Sequence, residues 1–218
     1  DVDIDIIRFL TQATFGATPD SYSELRSLID VEGSNREQVY ELWIDQQFDI
    51  PETSMLALDN HTYDQFPSYN HAALQTESFW PIAVYANDQL RQRVTFALSE
   101  ILVISRADGQ VRNKPRGIGS YWDTLSSNAF GSYRQLIEDV TMHPMMGLYL
   151  SHLRNKKADA EAGTFPDENY AREVMQLFTF GLVHRNIDGS IILGEDNLPI
   201  ATYSNETIQN MARVFTGL

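Results

Sequence analysis

Between Leu90 and Ile104 the apolar side chains Leu90, Val94, Ala97, Leu98, Ile101 and Ile104 recur every three or four residues, which gathers them on one side of an α-helix. A stripe this broad predicts a helix enclosed on most sides, so other helices must cover it. The rest of the chain offers them. "DIDIIRFLTQATFG" sets Ile4, Ile7, Phe9 or Leu10, and Phe15 near one side. Thr18 followed by Pro19 has the form of a capped helix start, and Ser34 with Glu37 has capping-box spacing. Residues 51–76, rich in Asn, His, Pro and Tyr, read as a loop or irregular helix, and "RADGQVRNKPRGIGS" as a flexible loop with four basic residues. "YWDTLSSNAFGSYRQLIEDVTMHPMMGLYLSHL" reads as two or three helices broken before Pro144, and Ser204 caps a last one. Turn signals at Asp188-Gly189 and Asp196-Asn197 around "SIIL" predict a small β-hairpin near residues 184–203. The expected fold is mainly α, an irregular multi-helix bundle with that one hairpin, in a single domain over residues 1–218.

Composition removes several classes of function. The chain has 30 acidic against 16 basic residues among 218, a net charge of −14, which speaks against a nucleic-acid partner. Cysteine is absent, so disulfides, thiol nucleophiles and thiolate metal sites are excluded. No run of eighteen apolar residues is present to form a transmembrane segment. The chain opens on Asp1 without Met and closes on the apolar "MARVFTGL", so a fragment of a longer protein is expected.

The segment "FPDENYAREVMQLFTFGL" predicts a helix with Thr164 as cap, Pro166 in the first turn and Gly181 as stop. Tyr170, Ala171, Val174, Met175, Leu177 and Phe178 fall on one side; Glu168, Asn169, Arg172, Glu173, Gln176 and Thr179 on the other. Glu168 and Arg172 stand in the favourable four-residue order for an ion pair. Phe180 shares the polar side, from which Arg172 and Glu173 are expected to be largely buried and bonded to neighbouring helices; the alternative is an ordinary solvated face with local ion pairs.

Together with "RFLTQATFGAT", "LRQRVTFALSEILVIS", "HPMMGLYLS" and the closing "MARVFTGL", the segment "ENYAREVMQLFTFGL" gives the chain a pattern that resembles the amino-terminal half of the bacterial family named "domain of unknown function 1800". Glu100, where an amide is expected, and Leu218, where tryptophan is expected, depart from it. The resemblance implies an exported bacterial protein, secreted, periplasmic or on the cell surface. The family brings no assigned activity, and hence no catalytic residues to carry over.

The chemistry-bearing residues are few. There is no phosphate-cradling glycine loop, no nucleophile elbow and no H-E-x-x-H pair. His143, before the helix break, suits either a cap or a general acid or base. Arg172 and Glu173 with Asn169 could orient a carboxylate near the His143 turn, with Glu138, Asp139 or Glu168 as a second acid. His61 and His71 are weak as metal spacing. His184, Asn186, Asp188, Gly189, Ile191 and Glu195 fit a calcium-loop template, but His184 is a poor first ligand and no clear helix follows Glu195, so a hairpin turn is expected. The aromatics Trp80, Tyr85, Trp122, Tyr133, Tyr149 and Tyr170 fit either a core or the wall of a sugar-binding cleft, with Asn169 and Gln176 as further binding candidates. No cofactor is expected. Two functions stand open: a binding or assembly module for a cell-surface or extracellular polymer, with a glycan or surface protein as partner, and a metal-independent hydrolase or lyase of an extracellular polysaccharide.

Overall fold

A computed structural model describes residues 1–31, 35–66 and 74–218, with the backbone alone at 74–76. Among these residues the helices are α1 (Val2–Ala13), α2 (Pro19–Ile29), α3 (Arg36–Asp49), α4 (Met55–Gln65), α5 (Leu74–Tyr85), α6 (Gln89–Ile101), α7 (Gly109–Arg112), α8 (Pro115–Ser127), α9 (Tyr133–Met142), α10 (Pro144–Tyr149), α11 (Asn169–Gln176) and α12 (Asn205–Val214). The fold is mainly α, as the sequence predicts. Two compact units form, Asp1–Glu100 with Asn113–Leu136, and Ile101–Arg112 with Ile137–Leu218.

The first unit has two small cores. α1, α2 and α3 enclose Ile6, Leu10, Leu25, Val39 and Trp43. α2 starts as its sequence dictates: Thr18 and Ser21 exchange side chain to backbone hydrogen bonds around Pro19. The second core, Met55, Ile82 and Trp122, lies among α4, α5 and α8. Residues 55–65, which sequence composition assigns to an irregular stretch, form the regular helix α4, because Ser54 accepts the Ala57 N–H at 2.9 Å and caps its start. The loop expected at 106–120 is likewise helical, as α7 and the first turns of α8.

Three further expectations are corrected. α1 buries Ile6 and Leu10, while Ile4 and Ile7 are exposed. α3 is capped by Asn35, whose side chain accepts the Glu37 N–H; Ser34 and His71 lie outside the described residues. The largest change concerns α6. None of Leu90, Val94, Ala97, Leu98, Ile101 and Ile104 is buried, and the helix buries Gln92 and Thr95 instead. Its polar side turns inward because Gln92 is fully bonded there. Its amide donates to Asp88 Oδ2 (2.9 Å) and to the Thr53 carbonyl (3.1 Å), and accepts from the Trp122 indole (3.0 Å). A buried amide whose bonds are all made costs little, and periodicity alone cannot foresee that.

The second unit is built on Tyr170 of α11. Its ring packs on His152 (centroids 4.0 Å apart) and edge-on to Phe215 (4.9 Å), next to α12. Ser204 caps α12, as expected. α11 starts later than the sequence suggests, at Asn169, and Thr164 instead pairs backbone to backbone with Asp159. Gly181, with φ at +76°, closes the segment by donating its N–H to the Met175 carbonyl at 3.0 Å.

The β element near 184–203 keeps both turns but has three arms. The His184 N–H donates to Ile200, the Ile200 N–H to Ile192, and the Ile192 N–H back to His184, at 2.9, 3.1 and 3.0 Å. The two turns repeat eight residues apart. Asp188 accepts the Ser190 N–H and Asp196 the Leu198 N–H, with Gly189 and Asn197 at positive φ in equivalent places.

Candidate functional site

Most residues singled out in the sequence have structural partners. His143 caps α10, its Nδ1 accepting the Met145 N–H at 3.2 Å, and burial holds its pKa below the usual histidine value. The Arg172 guanidinium pairs with Glu168 one turn back, at 2.8 Å, and its side chain is 44% exposed. This overturns the expectation of burial against neighbouring helices, and the reason lies in Phe180, which is itself 57% exposed and draws nothing inward. Asn169 is exposed, Gln176 is half-buried, and half-buried Glu173 keeps one oxygen, Oε2, buried without a hydrogen-bond partner. An exposed ion pair contributes about 0.2–1 kcal/mol. Arg172→Ala is therefore expected to leave the melting temperature within about 2 °C of wild type by calorimetry.

Asp188 sits in the first turn of the arm, bonded to Ser190, and those bonds lower its pKa. Asn186 also bonds Ser190, at 3.0 Å. Among the described residues no three His, Asp or Glu side chains converge as a metal site, so Asp188 and Glu195 are not joined in one. Trp122 and Tyr170, candidates for a sugar-binding wall, are buried in the two units' cores.

Two buried groups were not legible beforehand. His152, 2% exposed, bonds the Thr141 carbonyl through Nε2 (2.8 Å), while the Thr141 hydroxyl meets the Tyr170 hydroxyl at 2.6 Å. Burial lowers the His152 pKa. Asp59, fully buried in α4, accepts the Ser78 hydroxyl of α5 through Oδ1, and its Oδ2 is buried without a partner. Burial, with the nearby Asp123 charge adding to it, pushes the Asp59 carboxyl up to about 6 against the bond from Ser78. Burial also raises Asp123, although its oxygens accept the Ser54 hydroxyl and the Met55 and Leu56 N–H groups.

Among the described residues one feature open to a ligand is a cleft of about 770 Å³ in the first unit, within the usual range of ligand sites of about 300–1,000 Å³. One wall is the exposed end of α5, with Trp80 61% and Tyr85 82% exposed. The lining also includes the α1–α2 turn with Phe15, Asp20 and Glu24 of α2, and Trp43 of α3. Trp80 is held by a chain of rings. Phe79 meets it at 5.4 Å, and meets Phe15 and the core residue Trp122 at 5.7 Å each, all edge to face. An exposed indole fixed in this way is ordered before any ligand arrives. Among the described residues the lining contains two carboxylates and several amides and hydroxyls, and no Lys, Arg or His.

The model of the family described as "Protein of unknown function (DUF1800)" matches residues 8–218, all but the first seven. The chain belongs to this family. The match begins at Arg8, where the first of the family-like segments begins. In this DUF1800 chain the segment "ENYAREVMQLFTFGL" serves the fold through Tyr170, while the cleft is lined by other stretches. No curated protein and no solved structure matches the chain. Among the described residues no helix is long and apolar enough to cross a membrane.

Proposed function

We propose that this DUF1800 chain is a binding module for an uncharged polysaccharide, displayed outside the cell as the family resemblance suggests. The observation that carries this reading is the cleft wall, where Trp80 and Tyr85 stand exposed, Trp80 against Phe79, in a lining that also holds the exposed carboxylates of Asp20 and Glu24. The C–H faces of pyranose rings stack on such rings, and carboxylates and amides accept and donate to the hydroxyls at the ring edges. Among the described residues the lining has no cationic side chain and the chain carries −14, so an anionic polymer would be repelled. Binding is favoured over glycoside hydrolysis by the exposure of both Asp20 and Glu24.

Affinity electrophoresis tests this directly. Gels containing hydroxyethyl cellulose should retard the protein, and gels containing alginate should not. Trp80→Ala should abolish the retardation with no change in melting temperature, because an indole 61% exposed contributes little to the core. Equal mobility of wild type and Trp80→Ala in every gel would overturn the reading.

A further inference from the structure

The 770 Å³ cleft does not end at Glu24 and Asn87. A second hollow of about 400 Å³ adjoins it, and the two share Glu24, Trp43, Gln47 and Asn87 in their linings. Beyond that shared waist the second hollow is lined by Gln46 and Ile50, at the carboxyl end of α3. The waist is rigid. Gln47, 7% exposed, donates to the Asn87 carbonyl at 3.3 Å and accepts the Leu90 N–H at 3.1 Å, tying α3 to the α5–α6 turn. Trp43 is held edge-on by Phe9 at 5.2 Å. Gln46 is exposed, with an amide that can both donate to and accept from hydroxyl groups.

We propose that the two hollows are successive subsites of one groove, which binds a longer stretch of a linear, uncharged pyranose chain than the first hollow holds alone. This rests on the polysaccharide reading above and adds direction and length to it. One end of the bound stretch lies against Trp80 and Tyr85 while the other crosses the waist to Gln46 and Ile50.

The experiment compares cellotriose with cellohexaose by titration, followed by the intrinsic fluorescence of the three tryptophans, Trp43 and Trp80 of which line the groove, in wild type and in Gln46→Ala. The longer oligomer should bind about tenfold or more tightly. Gln46→Ala should remove most of that gain and leave cellotriose affinity unchanged, which also shows the variant to be folded. Equal affinity of the two oligomers in wild type, or a gain that survives in Gln46→Ala, would overturn the second subsite and leave the binding cleft standing. Failure of both oligomers to bind would overturn the cleft reading and the subsite together.

Discussion

Gly119→Ala should lower the melting temperature by several degrees, against the direction that helix propensity alone dictates. Gly119 lies within α8, where alanine is favoured over glycine by about 1 kcal/mol. A methyl group at that position, however, would overlap Asp59 Oδ2 and stand 3.3 Å from Leu56 Cα on α4. The carboxylate has little room to yield, because its other oxygen holds Ser78 and the residue is fully buried. Overpacking of this kind costs about 1–3 kcal/mol, and more where backbones must separate. Gly109→Ala is the control, since nothing lies within 4 Å of a methyl group there. Melting followed by circular dichroism should show Gly119→Ala destabilised and Gly109→Ala unchanged or slightly stabilised. An alanine at 119 that raises the melting temperature would show that α4 and α8 do not approach each other so closely.

The stability of the first unit should fall as pH rises from 5 to 7.5, with Asp59 as the main cause. Its carboxyl titrates at about 6 in the folded chain, against 3.8 as its ordinary value. The folded state therefore holds a proton that the unfolded chain releases. The stability from this group is fully present below about pH 3.8 and is lost as pH rises through 6. Between pH 5 and 7.5 the loss amounts to about 1–2 kcal/mol, or roughly 3–6 °C in melting temperature. Asp123, raised in the same direction, adds to the slope. Trp43, Trp80 and Trp122 all lie in the first unit, so tryptophan fluorescence reports on it. In Asp59→Asn the slope should shrink by more than half. A melting temperature that is flat or rises across this window in wild type would contradict the buried, unpartnered carboxyl.

Three helix starts were legible from a local cap: Thr18 with Pro19, His143 with Pro144, and Ser204 each start the helix their sequence announces. Which face each helix buries was less so. Periodicity reports where apolar residues lie, and α6 covers its polar side because Thr53, Asp88 and Trp122, distant in sequence, complete the bonds of Gln92. α4 was hidden by a composition rich in Asn, His and Tyr, although Ser54 supplied its cap signal. Of the cleft, Trp80 and Tyr85 could be named in advance as aromatic candidates. Phe15, Trp43 and Asn87 could not, since they come from separate elements and only packing brings them to one cleft. The acidic pair Asp20 and Glu24 reads as an ordinary solvated helix face until the aromatic residues of the same cleft are seen.

A nuclear magnetic resonance titration of the labelled chain with cellohexaose tests the binding cleft most directly. Backbone shifts should concentrate at residues 14–24 and 79–89, with a smaller set at 46–50, and should vanish in Trp80→Ala. Shifts confined to α11 and the His143 turn, or none at any residue at millimolar oligosaccharide, would contradict a glycan-binding cleft in the first unit.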